Sequence, residues 1–459
     1  MKIVILLVSA ACFILAVKKN RSISNPYVAF NALWMGVAAL INIGNKFVYE
    51  PSNTALICVL VGILGFNISS ITPRLVIGRK TKTLMTEKEY TLNYRTAHVI
   101  SIIVLALSAV TAASAIRSFL TGASFASIRE DYYTYSTNEN VLLYYLRNFI
   151  LSPLRYVVVV TTIIALFKKV KVSKWLIINT IGIIVLQAIT SGGRYVLMNT
   201  IFMLLCGFSL FVNKEKISIK QKIIMAIIIG LFSYIIVFLT NDRSTYLSQA
   251  MTVGERLYQT IYLYFAGSTT YMGEVIAKTP TIMGSTFGIN FFAGFLIPLF
   301  VVLNYIHLIP YPKVFSVIGT YACEVLRIGP ATYYNAMPTI FGYFYIDGGL
   351  ALVFIEAWLF GYICKRVFLK AEHGNYLYIS LFMLLFVQIC TSSTRWFLYS
   401  PDFCLAMIYM RMIIKKVSMG GVLLGLILSS ICRWCFSSRK KEYVRSHMYS
   451  TWLVGGVVQ

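Results

Sequence analysis

RYVVVVTTIIALFKKVKVSKWLIINTIGIIVLQAITSGGRYVLMNTIFMLLCGFSLFVNKEKISIKQK, residues 155–222, decides the fold. It holds the end of an apolar run over 149–167, then two more at 175–190 and 195–212. Each approaches the ~20 mainly apolar residues that a membrane-crossing helix needs. The links between them differ in kind. Lys168, Lys169, Lys171 and Lys174 fill the first, and Lys214, Lys216, Lys220 and Lys222 follow the third run. The middle link is only Ser191-Gly192-Gly193-Arg194. Basic and nearly uncharged links in alternation are the positive-inside pattern of a multi-span membrane protein.

The same alternation extends outward. Further apolar runs lie at 3–17, 27–44, 54–71, 98–116, 223–240, 345–363, 376–393 and 402–414. With the N-terminus outside, the links at 18–26, 72–97, 168–174, 213–222, 364–375 and from 415 onward become cytoplasmic. These links hold more than half of the 41 basic residues. The expected fold is an all-α polytopic integral membrane protein with about 11 or 12 transmembrane helices. Residues 257–275 and 288–306 read as interfacial helices, re-entrant helices or an extra pair of spans, which would raise the count to about 14. The stretch 421–432 is interfacial or a twelfth span. Residues 1–437 then form a single membrane domain, and 438–459 a short basic cytoplasmic tail.

Composition agrees with this reading. Hydrophobic residues make up 58% of the 459 and charged residues 12%, too apolar for a soluble domain of this length. The net charge of +25 sits mostly in the short links and the tail, where it orients spans and meets anionic lipid. No base-reading face accompanies it, so nucleic acid is not an expected partner. Six cysteines lie in or beside apolar runs as small hydrophobes, Cys323 stands alone in the long outer loop, and the Cys432/Cys435 pair lacks the partners of a zinc site. No P-loop, HExxH or GxSxG motif is present. No metal-ligand cluster is evident either, and metal independence is expected.

Two outer segments carry the unusual residues: the Tyr-rich loop 117–148 and the half-apolar loop 241–344. A loop as long as the second is usually functional. Arginine recurs on this face, at Arg129, Arg155, Arg194, Arg243, Arg327 and Arg395, although topology disfavours cations there. A guanidinium grips phosphate oxygens in a planar fork, which an ammonium cannot do. Gly192 and Gly193 strip the backbone beside Arg194 so that a ligand can approach; the bland alternative is a tight turn with a snorkelling arginine. Glu324 and Arg327, three apart, would share a helix face. Asp347 is a further outer carboxylate, and Glu356 lies inside an apolar run, where an ionisable residue is either a functional candidate or a hydrogen-bonded structural one. Tyr333-Tyr334-Asn335 follows Gly329-Pro330 in a turn-rich stretch that offers sugar-stacking faces, against ordinary interfacial-belt tyrosine elsewhere.

From about 90 to 415 the chain resembles the Wzy-type oligosaccharide repeat-unit polymerases of O-antigen and capsule synthesis. The resemblance rests on Gly192-Gly193-Arg194, the Arg-bearing outer loop after the fourth run, and the long loop entered at Arg243. Gly329-Pro330-Ala331-Thr332 leading into Gly342-Tyr343-Phe344-Tyr345-Ile346-Asp347-Gly348-Gly349 completes it. The catalytic His motif of the related ligases has no counterpart around His307. The resemblance implies a GT-C-like scaffold in the bacterial plasma membrane and a polyprenyl-pyrophosphate-linked oligosaccharide as substrate. A flippase and a chain-length regulator would be its partners. Arg194, Arg243 and Arg327 would then hold the pyrophosphate, with Glu324 or Asp347 as the base. Gly192, Gly193, Arg129, Arg395, Tyr333, Tyr334 and Asn335 would bind substrate. A lipid-linked oligosaccharide flippase and a glycan ligase are the rival expectations.

Overall fold

The computed structural model describes residues 1–19, 22–72, 90–123, 127–128, 144–168, 174–191, 193–212, 219, 223, 226–227, 229–231, 234, 252–282, 285–315, 324–330, 332–334 and 338–416. After the first helix, the next three start where a polar side chain caps free backbone donors. Helix α1 (Lys2–Lys19) is followed by α2 (Pro26–Ile43), whose Asn25 cap accepts from the Tyr27 and Val28 amides with Pro26 in the first turn. Helix α3 (Asn53–Ile68) is capped by Ser52, and α4 (Tyr94–Leu120) by Asn93 after the short strand β1 (Tyr90–Leu92). A π-helical turn at Leu146–Leu151 runs into α5 (Ser152–Phe167), and α6 (Lys174–Ser191) and α7 (Tyr195–Val212) follow.

The half-apolar outer segment is helical too. It contains α8 (Val253–Tyr262), a π turn at Leu263–Gly267, α9 (Ser268–Ile282) and α10 (Ile289–Tyr305). A small hairpin follows, β2 (Leu326–Arg327) antiparallel to β3 (Tyr333–Tyr334). The long α11 (Ile340–Glu372), α12 (Tyr376–Cys390), α13 (Pro401–Ile413) and β4 (Ile414–Lys416) complete the chain as described.

Five of these stretches are long and apolar enough to cross a membrane: Pro26–Ile43, Tyr94–Leu120, Leu146–Phe167, Lys174–Ser191 and Ile340–Glu372. Shorter apolar helices accompany them at Asn53–Ile68, Ile289–Tyr305 and Tyr376–Cys390, among others. Along α4 the outward side chains are Val99, Ile102, Ile103 and Val110, all exposed. An apolar ring of this kind belongs against lipid rather than water. The protein is therefore an α-helical membrane protein.

The interior is packed as membrane helices pack, through small residues and paired amides. Helix α3 lies against α11 so closely that a Cβ at Gly65 would fall 2.6 Å from the Phe354 carbonyl oxygen, and one at Gly361 2.7 Å from that of Phe66. Asn31 and Asn67 exchange side-chain hydrogen bonds of 2.7 and 2.9 Å between α2 and α3. Around them Phe30 stacks on Phe66, and Trp34 meets Phe341 at a tilt.

The helix ends sort into two groups. At one end the Ser24 amide reaches Ser209, and Lys168 sits over the rings of Phe211 and Tyr376. Lys365 donates to the carbonyls of Ser69, Ser70 and Thr72, and β1 pairs with β4. These are the Lys- and Arg-rich links. At the other end the Tyr49 amide donates to the Ile328 carbonyl, Tyr258 to that of Gly44, and the Ile340 amide to that of Ser392. The alternation read from charge is thus an alternation in space.

Candidate functional site

Arginines from three separate helix junctions meet at the end away from the basic links. Arg155 is in the first turn of α5, Arg194 precedes α7, and Arg395 lies between α12 and α13. Their side chains are connected through tyrosines. The Arg194 guanidinium lies 4.7 Å over the Tyr264 ring, and Tyr264 meets Tyr195 edge-on at 6.3 Å. Arg395 lies 6.0 Å from the centre of Tyr195 and 4.3 Å over Phe397. It also has Tyr343, Asp402 and Tyr156 as electrostatic neighbours. Arg155 lies 5.1 Å over Tyr156, whose hydroxyl accepts from Asn199 at 3.2 Å. Aromatic faces stabilise cations without occupying the N–H edge of a guanidinium fork.

Arg155 is withdrawn from water, and Arg194 and Arg395 are half-buried. Arg155 is only 6% exposed, and its Nη1 has no hydrogen-bond partner among the described residues; the same is true of Nε in Arg395. An unpartnered charged donor in such a place costs free energy unless a ligand completes it. Asp402 is the carboxylate of this group. Its Oδ1 accepts from Ser400 Oγ at 2.6 Å and from the Phe403 amide at 2.8 Å, which caps α13, and Oδ2 has no protein donor among the described residues.

The turn that carries Arg194 is fixed by its own side chains. Ser191 Oγ donates to the Gln187 carbonyl and accepts from the Gly193 amide at 3.1 Å, and the Arg194 carbonyl starts α7 by accepting from Met198. A Cβ at Gly193 would lie 2.9 Å from Ser191 Oγ, so glycine permits the turn. Arg395 is held by Gln388, which donates to the Arg395 carbonyl at 3.0 Å and accepts from the Phe397 amide.

The β2–β3 hairpin borders this region and explains where its residues go. Strand alternation turns Leu326 and Tyr334 inward and leaves Arg327 and Tyr333 exposed. Tyr334 donates to the Leu263 carbonyl at 2.9 Å and shares a hydrogen bond with Ser268. Burial pushes its hydroxyl pKa far above the usual tyrosine value, with Tyr195 and Tyr264 adding to the effect. Tyr334 is accordingly a neutral phenol beside the arginine-stacked rings.

One expectation is corrected by this geometry. Glu324 and Arg327 lie in and beside a strand, not on one helix face. The Arg327 fork donates to the carbonyls of Gly329 and Pro330 in its own turn, while Glu324 pairs with Lys278 at 3.3 Å. Asp347 is fully buried and accepts from the Asn290 and Phe291 amides and from Thr286, so it caps α10. Arg129, Gly192, Arg243 and Asn335 lie outside the described residues. Arg155 and Asp402 take a larger part than their sequence context suggested. The available signal was an arginine in the first turn of an apolar run.

No family model, curated protein or solved structure matches this chain.

Proposed function

We propose that the protein is a multi-pass glycosyltransferase of the bacterial plasma membrane that polymerises polyprenyl-pyrophosphate-linked oligosaccharides on the extracytoplasmic face. One observation carries the proposal: Arg155, Arg194 and Arg395, from three junctions, share a Tyr-lined, partly buried site at the end opposite the basic links. That is the chemistry for a doubly phosphorylated group at a membrane surface. Polymerisation is favoured over other uses of such a substrate by the motifs read from the sequence.

In the reaction an acceptor sugar hydroxyl attacks the anomeric carbon of the donor. A new C–O bond forms, the bond from that carbon to the pyrophosphate oxygen breaks, and lipid pyrophosphate leaves with the electron pair. The arginine forks neutralise the charge that grows on the leaving oxygen, each donor contributing about 2.7–4 kcal/mol if it acts as an oxyanion-hole donor does. Asp402, through Oδ2, takes the hydroxyl proton, in place of the Glu324 or Asp347 expected from sequence. Tyr195 and Tyr264 supply the faces on which sugar rings rest.

The test is reconstitution in liposomes with polyprenyl-pyrophosphate-linked oligosaccharide present on both leaflets. A ladder of lengthening products supports a polymerase, and a single transfer supports a ligase. Movement of the lipid between leaflets without chain growth supports a flippase.

A further inference from the structure

A second charged group lies away from the arginines, where α11 breaks. Gly348 and Gly349 depart from helical geometry, and Gly349 has φ 67°. Asp347, just before the break, is fully buried; Oδ1 accepts from the Asn290 amide and Oδ2 from the Phe291 amide, both at 3.1 Å. The hydroxyl of Thr286 also donates to Oδ1, and the Asp347 carbonyl accepts from the Phe287 amide at 2.8 Å. Glu356 lies further along the same helix, 4% exposed, with its carboxyl against that of Asp347. Its Oε1 would lie 3.6 Å from a Cβ at Gly288, the cap of α10, and its Oε2 has no hydrogen-bond partner among the described residues.

Two carboxylates cannot both stay ionised in contact and out of water. The donors identify which one is the anion. Asp347 accepts three hydrogen bonds at the positive end of α10, as a carboxylate does. Glu356 has only the Asp347 carboxylate to meet and must offer it a proton. Amide and hydroxyl hydrogens point at Asp347, where a metal ion would need lone pairs. From α10 and the residues before it, Asp347 faces only Thr286, Asn290 and backbone amides; among the described residues Asp347 is the sole charged group bearing on Glu356. The remaining helices packed against α11, namely α2, α3, α9 and α12, add no ionised neighbour to the pair among those residues.

This pair is connected to the arginine site through one residue. Phe291 gives its amide to Asp347, while its carbonyl accepts from Trp396 Nε1 at 3.3 Å and its ring lies 5.1 Å from that of Trp396. Trp396 is the neighbour of Arg395 in the chain.

We infer that Asp347 and Glu356 are positioning residues that hold a single proton between them, and that this proton keeps α10 docked so that Arg395 is held in place. Loss of the proton leaves two negative charges in a closed space, drives α10 from α11 and releases the 392–400 segment. The structural part of this inference does not depend on the polymerase reading; only its consequence for catalysis does.

The experiment uses the full protein in lipid nanodiscs. Infrared spectroscopy should show a buried carboxylic acid band at neutral pH that is missing in Glu356→Gln. Backbone hydrogen exchange of 392–400, corrected for the intrinsic rate, should rise by about tenfold or more as alkaline pH removes the proton. Glu356→Gln, neutral at every pH, should keep that segment protected throughout. Should the variant fail to fold, the wild-type acid band and the exchange of 392–400 must still change at the same pH. The inference is overturned if the acid band persists in Glu356→Gln, if that variant loosens like wild type, or if the wild-type band and exchange change independently. Neither readout needs chain growth, so an inactive reconstitution leaves the inference standing. An active polymerase whose 392–400 segment ignores pH sinks the inference alone.

Discussion

Replacing Arg155 by methionine should separate function from stability. The guanidinium is buried, and its Nη1 finds no protein acceptor among the described residues. Removing such a donor relieves about 1–3 kcal/mol of unfavourable burial. Against this stands the cation–π contact at 5.1 Å to Tyr156, worth about 0.5–1 kcal/mol. Methionine is unbranched and fills a similar apolar path, so the variant should be as stable as wild type or gain up to about 2 kcal/mol. Loss of one preorganised donor to the pyrophosphate should meanwhile slow chain growth by about 10²–10³, equivalent to 2.7–4 kcal/mol. Thermal unfolding in detergent and single-turnover chain growth in liposomes would measure the two effects. A variant that polymerises within about threefold of wild type, or that is destabilised by more than about 2 kcal/mol, refutes the reasoning. In the first case the arginine takes no part in the chemistry; in the second it is a structural prop.

Arg194→Lys should insert and fold normally but lose about a hundredfold in polymer yield, since an ammonium over Tyr264 cannot replace the fork; gel analysis of product ladders checks this. Arg327→Ala should leave activity within about threefold of wild type, because its donors already meet the Gly329 and Pro330 carbonyls; a drop like that of Arg194→Lys would return Arg327 to the site. Hydrogen bonds from Thr252 and the Lys46 ammonium hold the Glu255 carboxyl below the usual glutamate value. A depressed pKa contributes stability above the unfolded value and loses it as pH falls through the folded one. Protection of the 252–256 amides should therefore survive acidification through pH ~4.3 and fail below it, and Lys46→Met should move that failure to higher pH.

The sequence determined the apolar helices and the alternation of their links. Apolar runs must be helical in lipid, where each amide needs its partner within its own segment, and lysine clustering needs no tertiary detail to be read. The caps at Asn25, Ser52 and Asn375 are local interactions that start these helices in the structure. The Ser191–Arg194 turn was also visible as a tight link presenting a guanidinium. Which arginines meet was not. Arg155, Arg194 and Arg395 come from junctions far apart in the chain, and their proximity depends on helix packing that periodicity does not encode. Arg327 differs from them only through strand alternation and a turn whose carbonyls lie within its reach. Asp347, read as an outer carboxylate, became a buried cap because α10 folds back to set its free amides against the break in α11. One-dimensional patterns fix what each segment must become; the long-range contacts alone decide which charges end up sharing a site.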